Sequence, residues 1–356
     1  MAVDKASAIR VFDEFFQKNY NHMFGLDTPY TPIGEVFLEE CRAEGLPLSV
    51  GAGLIEQESG GRNMFGCDKG ATGDRPPYCH QFVTEQRVQE LMAGNFASGL
   101  NGVGVTQLTT AQFVIDAQNM GGAHIPRYQM RRGFRLLRTL FRQFDFMNAL
   151  GAHNAGPGNP GSVFYTYSTP LAEKIWRWTQ RFWAVSDLSN IDKAIEYGRM
   201  LLDPRTAYGF WDGAFPFTPG PAMWPDAKTN NPPSPRTGVP NASCSGLINL
   251  MAAAGGADFR GGTLAYGRDI ENKRSYTPGM AIRRGEVLVN DNVTGPGGMD
   301  RSHIVMAIQN GADPMVISSD HRFGHDRPGV NIHRLSDSHM MFGFEFIGAV
   351  PGLGTD

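Results

Sequence analysis

Apolar side chains recur every three or four positions through the first part of the chain and alternate in short runs toward its end, so helices come first and strands later. Ile9, Phe12, Phe15 and Phe16 predict a helix over residues 6–20, and a second amphipathic pattern covers 33–44. Gly45 can close that helix in left-handed backbone and Pro47 can open the next, which predicts three turns over 48–58. Leu48, Ala52 and Ile55 form one stripe there, with Val50 and Leu54 beside it. A threonine cap precedes a predicted helix over 110–118. Phe134, Leu137, Phe141 and Phe144 predict one long buried helix that ends near residue 151, and further helices are expected over 170–183 and 188–202.

The period then changes. Residues 203–239 are dense in proline and poor in aliphatic side chains, the composition of a linker or extended strap. Beyond it a helix over 244–254 is followed by short strand patterns at 286–289, 303–308, 315–318 and 342–350, separated by Gly, Asn and Asp. The expected organisation is multidomain: an all-α domain over 1–202, a linker over 203–239, and an α+β domain with a mostly antiparallel sheet over 240–356.

Composition narrows the function. With 41% hydrophobic and 19% charged residues and a net charge of -3, the chain has no nucleic-acid footprint and no run that could span a membrane. Arg131, Arg132, Arg135, Arg138 and Arg142 are expected to form a solvated helix face, or to meet an anionic polymer. Met1 to Lys5 does not lead into a secretory signal, so action outside the cytoplasm would need another route. Four cysteines, at 41, 67, 79 and 244, make no disulfide framework, although Cys67 and Cys79 flank a Gly/Pro loop they could bridge. His22, His80, His124, His325, His333 and His339 show no ligand spacing, so neither a metal nor another cofactor is expected.

The first candidate for chemistry is Glu58. It follows Leu54 by four residues and Ile55 by three, so it projects from the apolar side of its helix, where desolvation would raise its pKa; Glu56 points roughly 200° away. Glu58-Ser59 at a helix end, Gly-x-x-Gln at 104–107 and His-Asn-Ala-Gly-Pro-Gly at 153–158, in this order, resemble the lytic transglycosylase family. That resemblance covers about residues 46–183 and implies a lysozyme-like helical domain that cuts peptidoglycan glycan strands. It makes Glu58 the catalytic acid, with Ser59 orienting it, Gln107 hydrogen-bonding in the cleft, and His153 and Asn154 in the closing motif. The family usually has Tyr where this chain has His153, so an imidazole replaces a phenol that would steady the carboxyl.

Two carboxylates a fixed distance apart serve ordinary glycosidases, whereas a transglycosylase works with one. Glu58 would protonate the glycosidic oxygen and then accept the proton of the muramic C6 hydroxyl as that oxygen closes on C1, leaving a 1,6-anhydromuramyl end. Goose-type lysozymes share the fold and place aspartates after the catalytic helix to activate water, a role open here to Asp68 or Asp74.

The second candidate is Cys244, at a helix start where the dipole favours thiolate, with His303 leading a strand and able to act as base. Cys-Ser-Gly-Leu on a helix, a Gly-Glu-Val-Leu strand and a His-led strand resemble the NlpC-type papain-like peptidases, which cut peptidoglycan stem peptides. The family normally has Asp before the nucleophile where this chain has Ser243. The third residue should follow His303 on the next strand, where Ser318 stands with Asp320 and His321 beyond; His321 is preferred.

Both resemblances meet on bacterial peptidoglycan, so the expected protein is a bifunctional wall-degrading enzyme, either a phage virion-associated lysin or an endolysin. Phage tail or secretion-apparatus proteins are its expected neighbours, and it acts from the virion or host cytoplasm. The alternatives are a goose-type hydrolase with an inactive C-terminal domain, or a structural virion or secretion subunit that binds the wall.

Overall fold

A computed structural model of the protein describes residues 4–23, 32–67, 78–94, 102–144, 146–200, 244–259, 261, 263–290, 303–320 and 329–355. The chain divides into two units, Met1–Gln143 with Ala149–Ser186, and Phe144–Asn148 with Asp187–Asp356. The first is α-rich and the second is α+β. The proline-dense stretch expected to link two domains lies outside the described residues.

The α-rich part carries α1 (Lys5–Met23), α2 (Gly34–Glu44), α3 (Leu48–Glu58), α4 (Glu85–Ala93), α5 (Ala111–Met120), α6 (Pro126–Phe141), α7 (Phe146–Ala155) and α8 (Thr169–Ala184). Gly45 closes α2 at φ 61°, the left-handed cap that its position suggested. Every residue from Ser49 to Ile55 of α3 is buried, the mark of a helix enclosed on all sides rather than lying on a surface. Two glycines allow that enclosure. A methyl group on Gly51 would stand 2.7 Å from Cys41 Sγ and 3.0 Å from the Phe37 ring; one on Gly53 would stand 2.6 Å from Ile175 Cγ1 and 3.0 Å from the Ile175 amide nitrogen. Helices α2 and α8 therefore rest directly against the α3 backbone. Phe12 and Phe16 of α1 extend this core, stacking on Phe37 at 4.0 Å and on Trp178 at 5.5 Å between ring centroids.

Arg131, Arg132 and Arg135 of α6, expected to form a solvated face, are partly exposed but engaged in ion pairs. Arg127 and Arg131 grip the buried Glu40 at 2.9 and 2.7 Å, Arg135 reaches Glu44 at 2.7 Å, and Arg132 pairs with Asp116 at 2.8 Å. Four-residue steps on α6 match the step from Glu40 to Glu44 on α2, so two adjacent helices interlock as a charge ladder. The single long helix expected through Phe144 is also two helices. Arg142 and Gln143 bond back to Thr139 and Leu140, three residues earlier, which tightens and ends α6 before α7 begins.

The second unit holds α9 (Asn190–Met200), α10 (Cys244–Ala254), α11 (Thr263–Asp269) and α12 (Leu335–Phe342), with β1 (Glu271–Ser275), β2 (Glu286–Asn290), β3 (His303–Ala307), β4 (Met315–Asp320), β5 (Gly329–Arg334) and β6 (Phe346–Ala349). The strands form one antiparallel sheet in the order β1-β6-β2-β3-β4-β5. Helix α9, grouped with the helical half on its sequence pattern, packs instead on α10, with Gly198 admitting Met251 Sδ and buried Ala194, Ile195 and Tyr197 on its inner side. Strand β1 escaped the sequence pattern because it is a polar edge strand, Glu-Asn-Lys-Arg-Ser, with almost no buried position. Among the described residues no helix is long and apolar enough to cross a membrane.

Gly53→Ala is expected to lower stability by about 1–3 kcal/mol through overpacking against α8. Urea unfolding checks this; an unchanged midpoint would show that α8 can draw back.

Candidate functional site

Helix α3 stops at Glu58 because the Ser59 and Gly60 amides both return to the Ile55 carbonyl, at 3.1 and 3.0 Å. Ser59 then ties the helix end to a neighbouring loop. Its hydroxyl donates to the Val105 carbonyl at 2.8 Å and accepts from the Gly61 amide at 3.1 Å. Ser59 thus fixes the turn that follows Glu58.

The loop at 102–107 is wound around two amide side chains. Gln107 sits in left-handed backbone at φ 45°, and its Nε2 donates to the carbonyls of Met64 at 3.1 Å and Gly104 at 2.7 Å. Both amide hydrogens are committed to the cleft wall, so Gln107 acts there as a brace. Gln129, which the sequence motifs did not single out, is wholly buried and fully bonded. Its Oε1 accepts from the Val105 amide at 2.9 Å, and its Nε2 donates to Asn63 Oδ1 and the Ala123 carbonyl, each at 2.8 Å. A side chain at Gly104 would collide with this amide, which explains the glycine at φ 77°. Nothing in the local sequence marks Gln129, because its partners come from three separate segments.

These pieces enclose a cleft of about 420 Å³ whose lining includes Glu58, Ser59, Arg62, Gln107 and Asn154. The structure thus brings together the first group of sequence candidates. Asn154 is exposed on the last turn of α7, and His153 precedes it with its side chain 8% exposed. Glu56 is held elsewhere, accepting from Trp178 Nε1 at 2.8 Å. Asp68 and Asp74, the candidates for activating water, lie outside the described residues.

A phenol reaches Glu58 from a separate element. After α7 the chain makes a 3-10 turn at Pro160–Val163 and a π-helical segment at Phe164–Ser168. Gly151 admits the Pro160 carbonyl against α7, which folds this segment back over the site. Tyr167 then donates its hydroxyl to Glu58 Oε1. His153 Nδ1 lies 3.0 Å from the same phenol oxygen and 3.8 Å from Glu58 Oε1. The phenol has one hydrogen and gives it to the carboxylate, so Nδ1 carries the hydrogen that points at the phenol oxygen. Burial pushes the His153 pKa down to about 4, so the ring is neutral at pH 7. Burial, then the Glu58 charge and the hydrogen bond to it, hold the Tyr167 pKa well above its usual value, so the phenol stays a donor.

In the second unit Cys244 opens α10, half-buried, with its Sγ 3.8 Å from Thr263 Oγ1. His303 opens β3, 4% exposed, its ring 6.3 Å from that of Phe344. Helix α10 packs on β3 and β4, so the two candidates stand at the leading ends of elements that touch. Ser318 on β4 is wholly buried, and its hydroxyl has no hydrogen-bond partner among the described residues. His321 lies outside the described residues.

The sequence matches no model of a known protein family and no curated protein. Among solved structures, the chain resembles a lipoprotein-like protein of the NLP/P60 family from Staphylococcus aureus subsp. aureus Mu50. The likeness spans 88% of this chain and 95% of that one, with 11% identity and a TM-score of 0.25, too low to establish a shared fold.

Burial of neutral His153 sets a pH dependence of stability. The unfolded chain protonates this ring near 6.5 and the folded chain only near 4, so between those values the unfolded state binds more protons and stability falls as pH falls. The loss approaches about 3 kcal/mol at the bottom of that window. His153→Gln is expected to flatten it. Urea midpoints of both proteins at pH 7 and 4.5 test this, and because His333 shares the depressed pKa and stays in both, its contribution cancels.

Proposed function

We propose that the chain degrades peptidoglycan, with the Glu58 cleft cutting glycan strands as a lytic transglycosylase and Cys244 with His303 cutting stem peptides. The observation that carries the glycan reading is the buried set at the cleft, where one carboxyl lies under a phenol donor backed by a neutral imidazole. Protonated Glu58 gives its hydrogen to the glycosidic oxygen as the bond to C1 breaks, and developing positive charge on the sugar meets the carboxylate left behind. That carboxylate then takes the C6 hydroxyl proton while O6 bonds to C1, which returns the acid and closes the 1,6-anhydro ring. Tyr167 keeps its hydrogen on one carboxyl oxygen throughout, which directs Glu58 to work through the other.

The peptidase reading is supported by the thiol at the first turn of α10 and by the packing of α10 on the strand that His303 leads. The helix N-terminus favours thiolate, and His303 would serve as base and then as acid to the leaving amine.

Digestion of peptidoglycan with weighing of the muropeptides tests both readings. Wild type is expected to release 1,6-anhydromuramyl products, Glu58→Gln to lose glycan cleavage, and Cys244→Ala to lose only peptide cleavage. Reducing ends without the anhydro form would point to a goose-type hydrolase, and no cleavage under reducing conditions would sink the enzymatic reading. Tyr167→Phe removes one charge-assisted hydrogen bond from the reacting carboxyl and is expected to lower kcat on the order of ten- to a hundredfold, with a shifted pH–rate profile.

A further inference from the structure

The geometry points to a redox-gated site for a thiophilic divalent cation, of which zinc is the type, formed by Cys67, Cys79 and His80. The two cysteines are joined as a disulfide with a Cα separation of 4.8 Å, and the three ligand atoms lie within 4.8 Å of one another. Histidine spacing alone suggested no metal; the fold places His80 and Cys79, adjacent in sequence, beside a cysteine from across the loop.

What favours a site is that the backbone on either side of these groups is held by hydrogen bonds in addition to the disulfide. Met64 bridges Phe82, the Phe65 amide donates to the Gln81 carbonyl at 2.9 Å, and the His80 amide donates to the Phe65 carbonyl at 3.2 Å. The Gln81 amide closes a turn on the Tyr78 carbonyl at 2.7 Å, and the Tyr78 phenol is anchored on Glu90. Tyr78 and His80 both occupy left-handed backbone, at φ 63° and 56°, a conformation that costs such residues energy and is kept where surroundings or function demand it. Reduction therefore leaves two thiols and an imidazole facing one another. Zinc–sulfur bonds of about 2.3 Å in a tetrahedral site separate two sulfurs by roughly 3.8 Å. Side-chain rotation can supply that spacing from the present Cα separation.

The chemistry balances with a dithiol reductant. It transfers two electrons and two protons to the disulfide, is itself oxidised to a disulfide, and leaves both cysteines as thiols. Each thiol then releases a proton as its sulfur binds the cation, and His80 supplies a ring nitrogen lone pair. Three protein ligands leave a fourth tetrahedral position, and because Cys67 and His80 line the Glu58 cleft, that position opens toward it.

Cobalt(II) binding to the full chain, without air, tests the site independently of any cleavage activity. The reduced protein is expected to bind one equivalent and to show thiolate-to-cobalt absorption with the intense visible bands of tetrahedral cobalt, while the oxidised protein shows neither. Cys67→Ser and Cys79→Ser should each abolish the signal, and Cys244→Ala should leave it intact. His80→Ala should weaken binding at least on the order of tenfold, since losing a group that merely orients a ligand already costs that much. Zinc should displace cobalt and raise the thermal midpoint of the reduced wild type. The proposal is overturned if the reduced wild type lacks the thiolate band, if the band survives Cys67→Ser, or if zinc leaves that midpoint unmoved.

Discussion

Close packing around α3 is the constraint on which the α-rich part depends. Seven consecutive buried residues leave this helix no face for solvent, and Gly51 and Gly53 let α2 and α8 approach its backbone. Glycine inside a helix costs roughly 0.5–1 kcal/mol relative to alanine, so these two positions give up intrinsic helix stability for contact. The return is a helix that can neither rotate nor slide without moving its neighbours. Glu58 ends that helix and inherits its rigidity, and Ser59 and Gly60 turn the chain out toward the cleft wall.

Around this carboxyl, hydrogen bonds from distant segments hold the neighbouring chain in place. Gln129 holds the 102–107 loop from behind, Gln107 holds the wall at Met64, and Tyr167 holds the carboxyl itself. Buried amides and hydroxyls are costly unless bonded, so such a set keeps one arrangement. His153 fits because it is neutral. A charged imidazole in that place would compete with Tyr167 for the carboxylate and would require solvation that the burial denies.

Much of this was legible in the residues. The boundaries of α2 and α3 and the approach of Glu58, Ser59, Gln107 and Asn154 to one cleft follow local patterns or motif order, whereas the single apolar side expected for α3 is replaced by burial all round. What stayed hidden is long-range. The arginines of α6 read as a solvated face because their partners, Glu40 and Glu44, lie on a helix far away in sequence. Helix α9 read as part of the helical half because its pattern shows that it has an apolar face, not what covers that face. Strand β1 carries no hydrophobic period, so only its pairing with β6 makes it a strand.

Sequence alone determined the helical and strand-bearing parts, the helix that ends in Glu58, and the residue types available to it, because these depend on periodicity, caps and composition within a few turns of chain. Tertiary structure decided which phenol reaches the carboxyl and which glutamine holds the loop. Those choices depend on where Gly104 and Gly151 let distant segments approach, and no local pattern encodes that distance.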